Sequence, residues 1–215
     1  MDIVNPKVEG YLEELLRTRD EAVVLEMEAE AKKRDFPAVG RTVGVTLEIL
    51  ARAIGARRVL ELGSGFGYSG YWFARAVGPD GEVHLTDNDP ENERKALEYL
   101  TRAGLAGPIR FHVGNALETM DALSGEFDVI FCDINKGDYP QAWRKARERI
   151  RAGGLYLCDN VLWSGRVAEE VVADDQAPGW TEAVREHNRM IAEDDRYLSV
   201  IVPTRDGVMV ALRVS

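Results

Sequence analysis

A short apolar run that stops at three closely spaced glycines constrains the fold of this chain more than any other feature. The stretch from Arg58 to Ser69 reads R-V-L-E-L-G-S-G-F-G-Y-S, and a helical pattern covers Tyr68 to Val77. Strand, tight glycine turn and helix make the first unit of an open α/β sheet, whose ligands bind at the carboxyl ends of the strands. Glycine suits such a turn because it adopts unusual φ/ψ angles and lets a ligand approach the backbone without a Cβ in between.

The spacing of these glycines separates two classes of nucleotide-binding loop. A dinucleotide fingerprint reads G-x-G-x-x-G and places a pyrophosphate at a helix N-terminus. Here the third glycine, Gly67, comes one residue early, and Tyr68 stands where the fingerprint requires glycine. With the acid Glu61 two residues before the first glycine, the pattern resembles the S-adenosylmethionine (SAM) loop of Rossmann-like methyltransferases. A glycine-rich turn without a catalytic role is the alternative.

The length and composition of the chain indicate one globular α/β domain. It has 215 residues, of which 45% are hydrophobic and 30% charged, enough for a sizeable core. No apolar run approaches the ~18 residues of a membrane span, and the N-terminus lacks the basic start and apolar stretch of a signal peptide. Two cysteines exclude a disulfide framework and a thiolate zinc site. We therefore expect a single domain over residues 1–215, located in the cytoplasm.

The formal net charge of −10 disfavours nucleic acid as a partner, because an acidic surface repels phosphate. Four basic residues, Lys32, Lys33, Arg34 and Arg41, nevertheless lie close together in sequence. They can form a local basic patch, but a solvated helix face is the simpler interpretation.

The rest of the pattern alternates between strands and helices, which predicts a mostly parallel sheet with helices on both faces. Two amphipathic helices fill about residues 6–34, with a break near Thr18 to Asp20. We expect them to cap the carboxyl edge of the sheet or to form an oligomer contact. Helix 43–54 precedes the first strand. After that strand, further strands are predicted at 83–86, 109–113, 127–132 and 155–158, and an antiparallel C-terminal hairpin at 198–202 and 208–213. The remaining helices are predicted at 91–103, 139–150 and 181–194.

Asp87 ends the second strand, about twenty residues after the glycine turn. An acid at this position accepts hydrogen bonds from both ribose hydroxyls of an adenosine. NAD and SAM share that feature, so Asp87 supports an adenosyl ligand without choosing between them. The alternative for Asp87 is a helix N-cap, although Asp89, just ahead of Pro90, is the better capping candidate.

Acidic and amide side chains follow the fourth and fifth strands. Asp133 comes after F-D-V-I-F-C, and Asp159 and Asn160 come after L-Y-L-C. If these strands are neighbours, the three side chains converge at one edge of the sheet and offer an all-oxygen site suited to Mg²⁺. A bound cation also removes the repulsion between the two carboxylates. The preceding Cys132 and Cys158 are expected to be buried strand residues, not metal ligands.

Lys136 follows Asp133 by three residues. An ammonium that is partly desolvated and close to a dication loses its proton more readily, so Lys136 is a candidate general base. A surface ion pair with Asp138 is the competing interpretation.

With these features the chain resembles the cation-dependent O-methyltransferases of the catechol and caffeoyl-coenzyme A type. The resemblance runs from about Val39 to the C-terminus. It rests on V-L-E-L-G-S-G-F-G-Y-S, the strand end at Asp87, G-N-A at Gly114 to Ala116, F-D-V-I-F-C-D-I-N-K-G-D-Y, G-G-L-Y-L-C-D-N-V-L-W-S-G-R-V, and the closing V-P-T-R-D-G-V-M-V-A.

The resemblance implies a class I methyltransferase fold with a seven-stranded sheet, and a homodimer. It also implies a SAM site, a metal site for Mg²⁺ (or Mn²⁺ or Ca²⁺), and a general base. Asp133 would contact both metal and cofactor. By this resemblance the metal ligands are Asp133, Asp159 and Asn160, the base is Lys136, and the SAM contacts are Val39, Glu61, Gly63, Ser64, Ser69, Asp87, Ala116 and Asp133.

Two departures from the family pattern stand out. The family usually has an acid where this chain has Asn115, which implies a weaker contact with the adenine amino group. The family also usually reads D-A-D-K where this chain has Asp133, Ile134, Asn135 and Lys136. The second departure keeps the ligand and the base but removes a local carboxylate.

The implied reaction is transfer of a methyl group from SAM to a small aromatic vicinal diol. The metal lowers the pKa of one hydroxyl, Lys136 takes its proton, and the oxygen attacks the methyl carbon in line. The loop from Asp174 to Trp180 and the N-terminal helices are expected to wall the acceptor pocket. Trp163, Trp180 and Tyr139 are candidates for packing on the acceptor, with ordinary core or rim positions as the alternative.

The sequence favours this function over three others. An NAD-dependent oxidoreductase is disfavoured by the early third glycine and by the Asp133, Asp159 and Asn160 set. A binding or scaffold protein without catalysis is disfavoured because every proposed ligand and the lysine are present. Within the family, a tRNA hydroxyuridine methyltransferase is the main alternative, and the net negative charge of the chain argues against it.

Overall fold

The computed structural model describes residues 5–16, 21–170 and 175–215, so the break expected near Thr18 to Asp20 lies outside the described residues. Strands and helices alternate as the sequence predicts. The strands are β1 (Arg58–Leu62), β2 (Glu82–Asp87), β3 (Ile109–Val113), β4 (Phe127–Cys132), β5 (Ile150–Cys158), β6 (Tyr197–Val202) and β7 (Val208–Arg213). The helices are α1 (Pro6–Leu16), α2 (Ala22–Arg34), α3 (Gly40–Ala53), α4 (Tyr68–Val77), α5 (Pro90–Arg102), α6 (Ala116–Ala122), α7 (Tyr139–Ala146) and α8 (Trp180–Ala192).

The seven strands form one sheet in the order β3-β2-β1-β4-β5-β7-β6. The first five strands are parallel, and β7 runs antiparallel between β5 and β6. The chain builds outward from β1 to β3 and then returns to place β4 on the other side of β1. This reversal opens a crevice at the carboxyl ends of β1 and β4, where open α/β sheets bind ligands. The predicted mostly parallel, seven-stranded fold with its C-terminal hairpin is confirmed.

Helices cover both faces of the sheet and bury an apolar cluster on each. On one face, α2 to α5 pack against inward residues of β1 and β2 such as Val59 and Leu85. On the other face, α6, α7 and α8 pack against residues such as Leu60 and Ile130. No helix among the described residues is both long enough and apolar enough to cross a bilayer.

The region before the fifth strand differs from the sequence prediction. The predicted helix 139–150 ends at Ala146, and the predicted strand 155–158 already begins at Ile150. Ile150 is fully buried and pairs with Phe127, after which the register between β4 and β5 shifts. The apolar side chain of Ile150 therefore completes the sheet core, and Gly153 and Gly154, which follow the predicted helix, lie inside an irregular strand.

A short helix between β3 and β4, α6, was not predicted. It has seven residues, which is too few for a clear helical period of apolar residues. The signal that was present is its cap, because the Asn115 side chain accepts hydrogen bonds from the backbone N–H groups of Leu117 and Glu118 at 2.9 and 3.1 Å. Asparagine is among the preferred residues at this position.

Close packing of α3 against α4 depends on Gly44, since a Cβ placed there would lie 2.1 Å from Nε1 of the buried Trp72. We expect Gly44→Ala to lower the free energy of unfolding by about 1–3 kcal/mol, as overpacking of a rigid core does. Gly10→Ala is the matched control, because no atom lies within 4 Å of a Cβ at that position of α1. Urea denaturation measures both changes, and equal midpoints for Gly44→Ala and the wild type would contradict the packing argument.

Candidate active site

A cavity of about 600 Å³ opens at the carboxyl edge of the sheet. Its wall is formed by segments that follow β1, β3, β4 and β5, by the end of β2, and by the segment after α2. The predicted site residues in the wall are Val39, Gly63, Ser64, Ser69, Asp87, Ala116, Asp133, Lys136, Asp159 and Asn160. Predicted site residues from six separate segments of the chain therefore lie around one cavity.

The glycine turn after β1 is joined to the strands on both sides of it. Gly63 has a φ of 83°, and a Cβ at this position would lie 2.3 Å from the backbone oxygen of Asp133. Its N–H donates to Thr86 Oγ1 at 3.1 Å. Both the positive φ and the close approach require glycine.

Glu61, the acid of the glycine stretch, lies beneath the cavity wall and is fully buried. The Ser69 hydroxyl donates to Glu61 Oε1, while Oε2 has no hydrogen-bond partner among the described residues. Burial raises the pKa of Glu61 to about 8, although the Ser69 hydrogen bond opposes the shift. Nearby, Ser64 Oγ accepts the N–H of Thr86 at 2.9 Å and ties the turn to β2.

Asp87 organises the end of β2 through three hydrogen bonds. Its Oδ2 accepts the N–H of Gly65 at 3.1 Å, and its Oδ1 accepts the N–H of Asp89 at 2.8 Å and Nδ2 of Asn92 at 3.0 Å. The N-cap of α5 is Asp89, whose side chain accepts the Glu91 N–H. The helix-cap alternative for Asp87 is therefore wrong, and its carboxylate lies in the cavity wall.

The fourth and fifth strands are neighbours, as the convergence of their terminal acids requires. Cys132 pairs with Cys158 in register, and both thiols are free and buried. Just beyond them, the ammonium of Lys136 donates to Asp133 Oδ1 at 3.1 Å and to Asn160 Oδ1 at 2.7 Å. The expectation that the two cysteines are buried strand residues is confirmed.

Lys136 is buried, with an exposed fraction of 8%. Its ion-pair partner is Asp133, so the competing interpretation of a surface pair with Asp138 is wrong. Burial alone would lower the pKa of Lys136, but the charge and hydrogen bond of Asp133, with a further contribution from Asp159, raise it above its ordinary value. The sequence argument predicted a lowered pKa because it placed a dication beside the lysine, whereas the carboxylates alone hold the proton on it.

Asp159 is a buried carboxyl group at the same edge of the sheet. Burial and the neighbouring charge of Asp133 raise its pKa to about 7. Its Oδ1 atom is buried and has no hydrogen-bond partner within the part of the chain that the structure describes. In that same part, no three His, Cys, Asp or Glu side chains cluster as metal ligands. The predicted set has only two acids and takes its third oxygen from the Asn160 amide.

The two departures from the family pattern have different surroundings. The Asn115 side chain lines the cavity, but its oxygen is used as the cap of α6. Asn135 is exposed and also lines the cavity. Asparagine at 115 thus has a structural use that the sequence argument did not foresee.

Two tryptophans form the wall beyond Lys136. The rings of Trp163 and Trp180 lie 5.9 Å apart, and both residues line the cavity with Gln176. The Trp163 indole N–H donates to Asp175 Oδ1 at 3.3 Å, which joins this wall to the start of α8. Residue 174 of the predicted loop lies outside the described residues. Tyr139, the third aromatic candidate, is fully buried and belongs to the core.

Thr86 is a site residue that the sequence argument missed. It is fully buried, donates to the backbone oxygen of Glu61 at 2.8 Å, and accepts the N–H of Gly63 at 3.1 Å. A hydroxyl residue on the strand directly before Asp87 was the available signal. Phe36 was also missed, and its ring lies against Gly65, where a Cβ would be 2.6 Å from Cζ.

Similarity to known proteins points to the O-methyltransferases. A family model described as O-methyltransferase matches residues 11–214. A Mycolicibacterium vanbaalenii protein, whose name assigns it provisionally to the O-methyltransferases, is 33% identical over 90% of this chain and 85% of its own length.

Two solved structures are similar over nearly their whole length. The O-methyltransferase TomG from Streptomyces achromogenes, involved in tomaymycin synthesis and solved in complex with SAM, is 30% identical with a TM-score of 0.85, over 97% of this chain and 96% of that chain. An O-methyltransferase from Bacillus cereus, in complex with S-adenosylhomocysteine, is 25% identical with a TM-score of 0.85, over 96% and 97% of the two chains.

The fold and the cavity are those of a Rossmann-like, SAM-dependent methyltransferase. More particularly, the chain belongs to the O-methyltransferase family. It is an enzyme that transfers a methyl group from SAM to oxygen.

The buried carboxyl of Glu61 gives a testable pH dependence. Its folded pKa of about 8 lies above the ordinary value of 4.5, so the folded state gains protons and stability falls as the pH rises through this window. We expect Glu61→Gln to raise the melting temperature of ligand-free protein, by roughly 2–4 °C for each kcal/mol relieved, and more at pH 9 than at pH 5. Calorimetry at both pH values measures this. The exposed Glu118→Gln is the control, and an equal gain at both pH values for Glu61→Gln would refute the assignment.

Proposed function

We propose that this enzyme methylates one hydroxyl of a small aromatic vicinal diol and requires Mg²⁺, or Mn²⁺ or Ca²⁺ in its place. The observation that carries the proposal is Asp159 Oδ1, a buried carboxylate oxygen that has no hydrogen-bond donor among the described residues. Buried charges are normally paired or bound to metal. An unpaired carboxylate oxygen next to the cavity therefore favours a cation as its missing partner.

The surrounding side chains fit a hard dication. Asp133, Asp159 and Asn160 offer oxygen atoms only, which is the chemistry that Mg²⁺ and Ca²⁺ prefer. The Lys136 ammonium contacts both Asp133 Oδ1 and Asn160 Oδ1, so these two oxygens already converge on one positive charge. The Oδ1 atom of Asp159 is the ligand oxygen that is left without a hydrogen-bond partner among the described residues.

We assign the other end of the cavity to SAM. The wall there is formed by the glycine turn, by Asp87 and by the segments that carry Val39 and Ala116. The Asp87 carboxylate is suited to the ribose hydroxyls, and the unpaired Glu61 Oε2 is suited to a donor from the ligand side. The proposed SAM contacts are Val39, Glu61, Gly63, Ser64, Ser69, Asp87, Ala116 and Asp133.

The reaction forms a bond between the acceptor oxygen and the methyl carbon, while the sulfonium sulfur keeps the electron pair of the bond that breaks. The acceptor must also lose its hydroxyl proton, and we assign Lys136 Nζ to receive it. A bound dication would neutralise the carboxylates that hold a proton on Lys136 and would lower the pKa of an acceptor hydroxyl. The chain contributes positioning, which supplies much of the acceleration in such transfers.

The acceptor end of the cavity favours a flat apolar ring. Trp163 and Trp180 offer aromatic faces there, and offset or edge-to-face ring contacts are favourable. Asp138 and Asp206 also line the cavity, and their negative charge disfavours the phosphates of tRNA. These observations support a small aromatic acceptor over the tRNA alternative.

The metal requirement is the first test of this proposal. We expect turnover of a catechol acceptor to disappear with EDTA and to return with Mg²⁺ or Mn²⁺, because carboxylate and amide oxygens alone hold the cation. Asp159→Ala should lose turnover but still bind SAM in calorimetry, and Asp121→Ala, at an exposed position on α6, is the control. Full turnover by metal-stripped wild-type protein would contradict the proposal.

Mass spectrometry with catechols, flavonoids, hydroxycinnamoyl thioesters and hydroxylated tRNA identifies the acceptor.

Lys136 is tested by two substitutions that differ in charge. Lys136→Met should reduce turnover by ~10²-fold or more, as loss of a positioned general base does. Lys136→Arg should fail as well, because guanidinium stays protonated at any usable pH. Initial rates at saturating acceptor measure both, with SAM binding as the check on folding. Near-normal turnover of the arginine variant would assign deprotonation to the cation alone.

We also propose a homodimer in which α1 packs on a second copy of the chain. This helix has no buried residue and carries an exposed apolar stripe of Val8, Tyr11, Leu12 and Leu15, and the family resemblance implies a dimer. We expect Tyr11→Glu to shift the molecular mass measured by light scattering from dimer to monomer, while Glu13→Gln on the opposite side of α1 leaves it unchanged. A monomeric wild-type protein would rule the interface out.

A further inference from the structure

The segment that carries Asp159 and Asn160 is held by side chains from outside the cavity. Asn160 has a positive φ of 54°, a left-handed conformation that non-glycine residues adopt only when their surroundings enforce it. Two backbone carbonyls flank it. Tyr139 Oη donates to the Asp159 carbonyl at 2.9 Å, and Asn188 Nδ2 donates to the Val161 carbonyl at 2.8 Å.

Asn188 is oriented by a chain of hydrogen bonds that runs from the buried Tyr156 and His187. Its Oδ1 lies 3.1 Å from His187 Nδ1, and His187 Nε2 lies 3.0 Å from Tyr156 Oη. Burial lowers the pKa of His187 to about 4, so its imidazole is neutral and carries one proton. Because Asn188 uses its N–H groups toward Val161, its oxygen faces His187, and the proton must lie on Nδ1. The direction of donation then runs from Tyr156 through His187 and Asn188 to the Val161 carbonyl.

We propose that Asn188 is a positioning residue for Asn160, with Tyr139 acting from the other side. Each donor fixes a carbonyl next to the strained residue, and Asn160 Oδ1 is thereby held 2.7 Å from Lys136 Nζ. Without the Asn188 amide, the Val161 carbonyl loses its side-chain donor and the turn is free to relax. The inference rests on the proposed function only insofar as Asn160 is treated as a metal ligand.

The other anchors of this segment explain why α8 is needed. The N–H groups of Val161 and Leu162 donate to the carbonyls of Gly207 and Asp206 at 3.2 and 2.9 Å. These bonds tie the segment to the β6–β7 turn. Asn188 adds a contact from α8, and Tyr139 adds one from α7, so that three elements hold the segment.

The test compares two Asn188 variants with the wild type. Asn188→Asp keeps an acceptor toward His187 and replaces the N–H donor with a charged oxygen, and Asn188→Leu removes both polar groups without adding charge. We expect Mn²⁺ to bind at least ~10-fold more weakly to either variant, the usual size for residues that orient metal ligands, while SAM affinity stays within twofold. Electron paramagnetic resonance titration with Mn²⁺ and calorimetry with SAM give the two readouts. Tyr139→Phe provides an independent removal of a donor from the same segment, and Glu186→Gln, an exposed change on α8, is the control.

A crystal structure of Asn188→Asp without metal gives a second readout that does not depend on the metal proposal. We expect Asn160 to leave its left-handed conformation, or its side chain to move beyond hydrogen-bond distance of Lys136. An unchanged Asn160 together with an unchanged Mn²⁺ affinity would overturn the inference. A wild-type protein that binds no Mn²⁺ would contradict the metal proposal instead, and the crystal structure would then decide the role of Asn188.

Discussion

Two carboxylates at the ends of neighbouring buried strands are the constraint on which the rest of this site depends. Asp133 and Asp159 follow β4 and β5, and the charge of Asp133 raises the cost of ionising the buried Asp159. Lys136 relieves Asp133 directly but leaves one oxygen of Asp159 without a partner. The described side chains therefore do not fully neutralise the two carboxylates, and this deficit is the feature that favours the proposed cation at this edge of the sheet.

Two buried carboxyl groups at the cavity lower the stability of the ligand-free protein. Glu61 and Asp159 are both buried, and each has an oxygen atom that no described residue satisfies. Such groups lower the stability of the ligand-free protein because an unpaired buried polar atom costs free energy. Both lie where a ligand is proposed to bind. Buried groups without partners are expected at functional sites, because a bound ligand can satisfy them and so raise the stability of the protein.

The sequence predicted the fold and brought candidate site residues to one edge of the sheet, because both follow from local patterns. Apolar runs that end in glycine or acid define strands whose carboxyl ends meet, so the neighbourhood of Asp87, Asp133 and Asp159 could be inferred before any coordinates. Contacts that depend on side-chain direction could not. The bond from Lys136 to Asn160 and the donor Asn188 arise from packing between elements distant in sequence. The pairing of Lys136 with Asp133 and the cap formed by Asn115 are local, but no hydrophobic period encodes them.

The contact between Gly63 and Asp133 ties the two halves of the cavity into one unit. A single methyl group at residue 63 would meet the backbone oxygen of Asp133 at 2.3 Å, so the turn assigned to the methyl donor and the loop assigned to the cation share a common wall of bare backbone. Neither half can be remodelled by substitution at that point without disturbing the other. Substitutions that adapt the enzyme to new acceptors are therefore expected on the tryptophan side of the cavity. Side chains can change there without disturbing the sites proposed for the donor and the cation.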